Sequence, residues 1–136
     1  MAIVLDADVL SDLVKHRADA NARLQDALAK DEIIYISPVA YYHVLRGLLH
    51  IRATSQIQLL QHLSEELEWN DLTRPVWEEA AKLWAQCRSA GHPLADEKKL
   101  DGDALIAAHA KALDSKVATR NAKHFRILGV GFEDWN

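Results

Sequence analysis

Short apolar runs alternate along the chain with longer stretches whose apolar residues recur every three or four positions. Ala2-Ile3-Val4-Leu5 is apolar throughout and stops at Asp6, as a buried parallel strand does. Asp8 stands where a helix N-cap would be, ahead of Val9, Leu10 and Leu13 at helical spacing. Asp19 to Ala29 reads as a second helix with a polar face, and Ile33-Ile34-Tyr35-Ile36 as a β-branched and aromatic strand. Ser37-Pro38 opens a helix, because proline is tolerated in the first turn, and Val39, Tyr42, Leu45 and Leu49 form its apolar stripe. Thr54 to Glu66 continues as a helix, and Leu67-Glu68-Trp69 is a weak strand. Thr73-Arg74-Pro75 begins the helix that carries Trp77, Ala81 and Trp84 and ends at Gly91. A charged loop, His92 to Leu100, leads to Asp101-Gly102-Asp103 and an apolar helix from Ala104 to Leu113. Lys116 to Thr119 and Val130 to Phe132 read as the closing strands.

Strands alternating with helices predict a central parallel β-sheet with right-handed crossovers. A site in such a fold lies beyond the carboxyl ends of the strands. Here those ends are Asp6, Ser37 and the run Thr119-Arg120-Asn121. With 136 residues and no repeat or linker, residues 1–136 are expected to form a single domain. One cysteine, Cys87, excludes an internal disulfide or a cysteine-built zinc site. No apolar run approaches membrane-spanning length and the start is not that of a signal peptide, so a cytoplasmic protein is expected.

Net charge is −4, from 20 acidic and 16 basic residues, whereas proteins that grip nucleic acid by bulk electrostatics are usually basic. Either nucleic acid is not the substrate, or the acids are gathered at a metal site with bases placed locally around it. A mononucleotide-binding domain fits poorly, since Asp6-Ala7-Asp8 would repel phosphate where a glycine-rich loop belongs.

Four stretches, in order along nearly the whole chain, resemble the PIN-domain family in its VapC toxin form. Val4-Leu5-Asp6-Ala7-Asp8-Val9-Leu10 resembles the opening strand with its metal-binding aspartate at Asp6. Ile36 to Gly47 is similar to the segment that supplies a glutamate, with His43 in the glutamate's place. Asp103-Ala104-Leu105-Ile106-Ala107-Ala108 resembles the third-acid motif at Asp103. Val117 to Phe125 is similar to the closing motif, with Thr119 and Asn121 as its polar pair and His124 where many relatives carry an acid.

The resemblance implies a PIN-like α/β fold and a metal-dependent endoribonuclease. It also implies an RNA substrate, an antitoxin protein that inhibits by filling the acidic groove, and a homodimer. Phosphodiester hydrolysis needs an activated water and charge relief at phosphate, which Mg²⁺ or Mn²⁺ supplies through carboxylate and water ligands. Asp6, Asp103 and Asp101 are the candidate metal ligands, and Asp6, Asp103, His43 and Asn121 the candidate catalytic residues. Arg46, Arg120 and Thr119 are candidates for holding phosphate.

Plainer roles stand beside these. Asp6 could only start a turn, Asp103 or Asp101 only cap a helix, and Asn121 and Thr119 only order a turn. Tyr41, Tyr42 and the tryptophans suit core or dimer contacts better than base stacking. His43 carries the main functional alternative: a degenerate PIN domain that keeps the fold and partner surfaces with little or no turnover. Imidazole adds no negative charge and suits Mn²⁺ and softer ions better than Mg²⁺.

Overall fold

The computed structural model describes residues 1–93 and 97–136. Five parallel strands, β1 (Ala2–Leu5), β2 (Ile33–Ile36), β3 (Glu68–Trp69), β4 (Lys116–Thr119) and β5 (Phe132–Asp134), form one sheet in the order β3-β2-β1-β4-β5. The helices that flank it are α1 (Ala7–Val14), α2 (Ala18–Ala29), α3 (Pro38–His50), α4 (Thr54–Glu66), α5 (Arg74–Ser89), α6 (Lys99–Ala112) and α7 (Lys123–Leu128). β1 is central and pairs with β2 and β4, which explains why Ile3, Val4 and Leu5 are all buried rather than alternating. Strand order reverses beside β1, so the crevice at its carboxyl end, next to that of β4, is where the topology places a site.

Several boundaries differ from the sequence expectation. Asp6, not Asp8, is the N-cap of α1: its backbone is extended, and its Oδ1 accepts the Ala7 N–H at 2.7 Å. Asp8 falls in the first turn. α6 begins at Lys99, so Asp101, Gly102 and Asp103 lie within the helix instead of introducing it. The predicted loop ahead of it runs partly through residues 94–96, outside the described residues. α7 was not anticipated; it is one short helix, ended by Gly129 in the left-handed conformation. β5 starts two residues later than expected.

The face of α3 is also rotated. Ala40, Val44 and Leu48 are its buried residues, while Tyr42 and Leu49 are 59% and 57% exposed. An apolar residue on a helix is not thereby a core residue. Of the tryptophans, only Trp135 is buried.

Candidate active site

Asp6 closes β1 and is itself buried. Its Oδ1 caps α1, and its Oδ2 accepts the Thr119 hydroxyl at 2.8 Å from the end of β4. Thr119 in turn receives the Asn121 N–H on Oγ1 at 3.0 Å, which sets the turn after β4. Asp8 accepts the Arg120 backbone N–H at 3.3 Å with each carboxylate oxygen. Asp103, one and a half turns into α6, has Oδ2 2.6 Å from His124 Nδ1. The end of β1, the first turn of α1 and the start of α6 therefore bring three aspartates to one crevice, with the end of β4 holding Asp6 and Asp8.

That crevice is a pocket of about 470 Å³ lined by Asp6, Asp8, His43, Asp101, Asp103 and Asn121, with Arg46, Lys98 and Lys99 on its walls. The acids are indeed accompanied by local bases, although the chain as a whole is acidic. Arg46 leans its guanidinium over the Tyr42 ring at 5.3 Å, so its stem is held while its charge stays accessible.

Two expected phosphate ligands are placed elsewhere. The Thr119 hydroxyl is fully buried and committed to Asp6, and the Arg120 guanidinium pairs with Asp12 at 2.7 Å. Both act as supports of the carboxylates. Asp8, read first as a cap and second as an added carboxylate ligand, lines the pocket; the pair Glu97 and His124 behind Asp103, with His124 Nε2 2.8 Å from Glu97 Oε2, was missed in the sequence. The one signal for the latter was His124 standing in an acid's place.

The electrostatics are those of an unneutralised acidic cluster. Burial, then Asp8, then Asp103 push the Asp6 carboxyl up from 3.8 to about 7, against the opposing hydrogen bonds from Thr119 and Ala7. Burial also raises Asp8 and Asp103, with Arg120 and His124 pulling the other way. Among the described residues, no three Asp, Glu, His or Cys side chains are drawn together into a ready cage. A hard cation does not need one: Mg²⁺ keeps several waters and is commonly held by one or two carboxylates. The donor set fits such an ion. Asp6 and Asp103 would hold such an ion, with Asp8 and Asp101 lining the same pocket.

His43 enters this pocket half-buried from the second turn of α3. Burial, then Arg46, lower its pKa from 6.5, so the ring is neutral at physiological pH. It packs against α6 where Gly102 has no side chain; a Cβ there would lie 2.7 Å from His43 Cε1. Gly102→Ala should therefore leave stability nearly unchanged in the parent, since the helix-propensity gain of about 0.5–1 kcal/mol is spent displacing the ring. In a His43→Ala background the full gain should appear. Urea denaturation of the four proteins measures this coupling; equal stabilisation in both backgrounds would show that ring and helix do not compete for space.

The crevice beyond a central parallel strand, with Asp6 at the strand end, Asp8 on the helix that follows and Asp103 on a second helix, is the acidic site of this α/β fold. The PIN domain family model matches residues 3–129, and the chain belongs to the PIN-domain family. No curated protein matches it by sequence. Among solved structures, it resembles VapBC2 from Rickettsia felis bound to a DNA fragment from their promoter, at 24% identity and a TM-score of 0.82, with 100% of each chain covered. It also resembles VapBC-1 from nontypeable Haemophilus influenzae, at 21% identity and a TM-score of 0.78, covering 99% of this chain and 98% of that one. DNA-bound VapBC from Salmonella typhimurium gives 19% identity and a TM-score of 0.82, covering 100% and 99%. These likenesses establish the shared fold. No helix among the described residues is long and apolar enough to cross a membrane.

Proposed function

We propose that the chain is a VapC-type toxin, a divalent-metal-dependent endoribonuclease held inactive by an antitoxin protein. The observation that carries this reading is the convergence of Asp6, Asp8 and Asp103 in a pocket walled by Arg46, Lys98 and Lys99. Carboxylates that repel one another when empty are arranged for a cation, and the neighbouring bases suit the phosphates of an RNA strand. Bound Mg²⁺ or Mn²⁺ supplies charge relief at the scissile phosphate and a water of lowered pKa. Asp6 and Asp103 hold the ion, Thr119 and His124 orient those two acids, and Arg46 holds a flanking phosphate. Asn121, on the pocket wall, is placed to bind substrate or water.

The VapBC complexes it resembles support an antitoxin partner, and the acidic groove is where we propose its tail to bind. A homodimer is supported by exposed apolar residues: Tyr42, Leu49 and Ile51 at α3, and Trp77 on α5, with Tyr42 and Trp77 lining one open pocket.

Cleavage of a mixed RNA substrate should vanish with EDTA and return more fully with Mn²⁺ than with Mg²⁺, because His43 replaces a hard oxygen donor. Cleavage that persists in EDTA would end the metal reading. His43 also favours the second reading, a binding-only domain; no cleavage with either ion, alongside retained antitoxin binding, would select it.

A further inference from the structure

His124 is fully buried, yet both of its ring nitrogens face carboxylates: Nδ1 lies 2.6 Å from Asp103 Oδ2 and Nε2 2.8 Å from Glu97 Oε2. Carboxylate oxygens only accept, so ring Nε2 is the donor to Glu97 and the imidazole bridges the two acids. The ring sits in the first turn of α7, while Glu97 precedes α6 and Asp103 lies inside it. Lys98, at the start of α6, makes no side-chain cap, so the helix that carries Asp101 and Asp103 is not fixed at its entry by the usual device. The bond from Glu97 across to α7 ties that entry down. Lys123, beside His124, reaches the other Glu97 oxygen at 3.5 Å and reinforces the tie.

We propose that Glu97 and His124 form a two-link support for Asp103, with Glu97 a positioning residue that acts through the imidazole. A terminal carboxylate rotates in a broad torsional well, so an unsupported Asp103 would spread its oxygens over many orientations. With Oδ2 committed to His124, Oδ1 is left for the pocket. Outer partners that orient ligands in this way typically set metal affinity within a factor of 10–100. This inference rests on Asp103 serving the proposed cation site.

The test uses Glu97→Ala and Glu97→Gln in the full-length protein; the Glu97 side chain is 39% exposed, so truncation leaves no buried cavity. Mn²⁺ affinity is measured by titration calorimetry, and the His124 ring N–H protons by NMR in metal-free protein. Glu97→Ala should weaken Mn²⁺ binding about tenfold or more. Glu97→Gln should recover most of it, because its amide oxygen still accepts from Nε2. In the metal-free parent the proton on His124 Nε2 should be exchange-protected, and Glu97→Ala should lose that protection. Parent-like Mn²⁺ affinity in Glu97→Ala would overturn the proposal, as would equal loss in both variants, which would make Glu97 a bulk charge effect. If Asp6→Asn and Asp103→Asn also leave Mn²⁺ binding untouched, the cation reading itself has failed. The Nε2 proton then decides the link alone: if it is protected in the parent the link stands as a structural tie, and if it is unprotected the link falls.

Discussion

Asp6→Asn is expected to melt well above the parent in metal-free buffer at pH 8, and to gain nothing when Mn²⁺ is added. An Asp6 carboxyl that ionises near 7 in the folded protein and near 3.8 in the unfolded chain makes stability depend on pH. Below 3.8 both states hold the proton and the site is neutral in this respect. Between 3.8 and about 7 the folded state holds the extra proton, so stability falls as pH rises. Above that range the loss is complete, with an upper bound of about 4 kcal/mol. The amide removes this loss and can keep the local bonds: its oxygen can accept from Ala7, and its NH₂ can donate to Thr119 Oγ1. The advantage of the variant should thus grow from pH 5 to pH 8. Asp103→Asn should behave alike with a smaller gain, because it also gives up a charged partner of His124. Thermal melts at the two pH values, with and without Mn²⁺, settle the matter. An advantage that does not change with pH, or a Mn²⁺ gain like the parent's, would remove Asp6 from the site.

The parts of the molecule that were legible in the sequence are those where a local rule and the tertiary fold agree. Ile33–Ile36, Thr54–Glu66 and Lys116–Thr119 appear at the expected bounds and α3 at its expected start, because apolar runs state the strands and a Ser-Pro pair opens the helix. α6 was misplaced because Leu100 is the one apolar residue among its first five, the others being charged or glycine, and its entry lacks a side-chain cap. The face of α3 was misread because Tyr42 and Leu49 are apolar at helical spacing but lie outside, where a partner and not the core would cover them.

The site divides in the same way. Asp6 and Asp103 were legible through motif resemblance, and the sheet topology puts them at one crevice. Glu97 was not. Its partner is 27 residues away on a helix that no periodicity announces, and a glutamate in a charged stretch looks like solvated surface until the fold is known.

His43→Glu is expected to strengthen divalent-metal binding and to shift its preference toward Mg²⁺. The variant puts a fifth carboxylate into a pocket that already holds Asp6, Asp8, Asp101 and Asp103, so the metal-free protein should be less stable than the parent at pH 8. With a divalent ion bound, the sign reverses. At an effective dielectric near 20, unit charges about 4 Å apart interact by about 4 kcal/mol, and a divalent ion doubles that. Desolvation removes part of the gain, and Arg46, one turn on from position 43, competes for the new carboxylate. A net gain of about 1–2 kcal/mol, or roughly tenfold in affinity, is the expected remainder. The gain should be larger for Mg²⁺ than for Mn²⁺, because a hard oxygen replaces an imidazole. RNA cleavage and toxicity on expression should rise with it. The pH dependence separates the contributions. In the parent, His43 is already neutral near pH 7, since burial and Arg46 lower its pKa from 6.5, and its loss of ligation belongs to more acidic solution. The rise in affinity around pH 7 comes instead from Asp6 giving up its proton. His43→Glu should therefore abolish the acid-side step and keep the one near 7, shifted upward by the added negative charge. Calorimetric titration of both ions at pH 5.5, 7 and 8.5 on the two proteins reads out each part. Affinities indifferent to the substitution at all three pH values would make His43 a bystander that packs against Gly102, with the cation held by the aspartates alone.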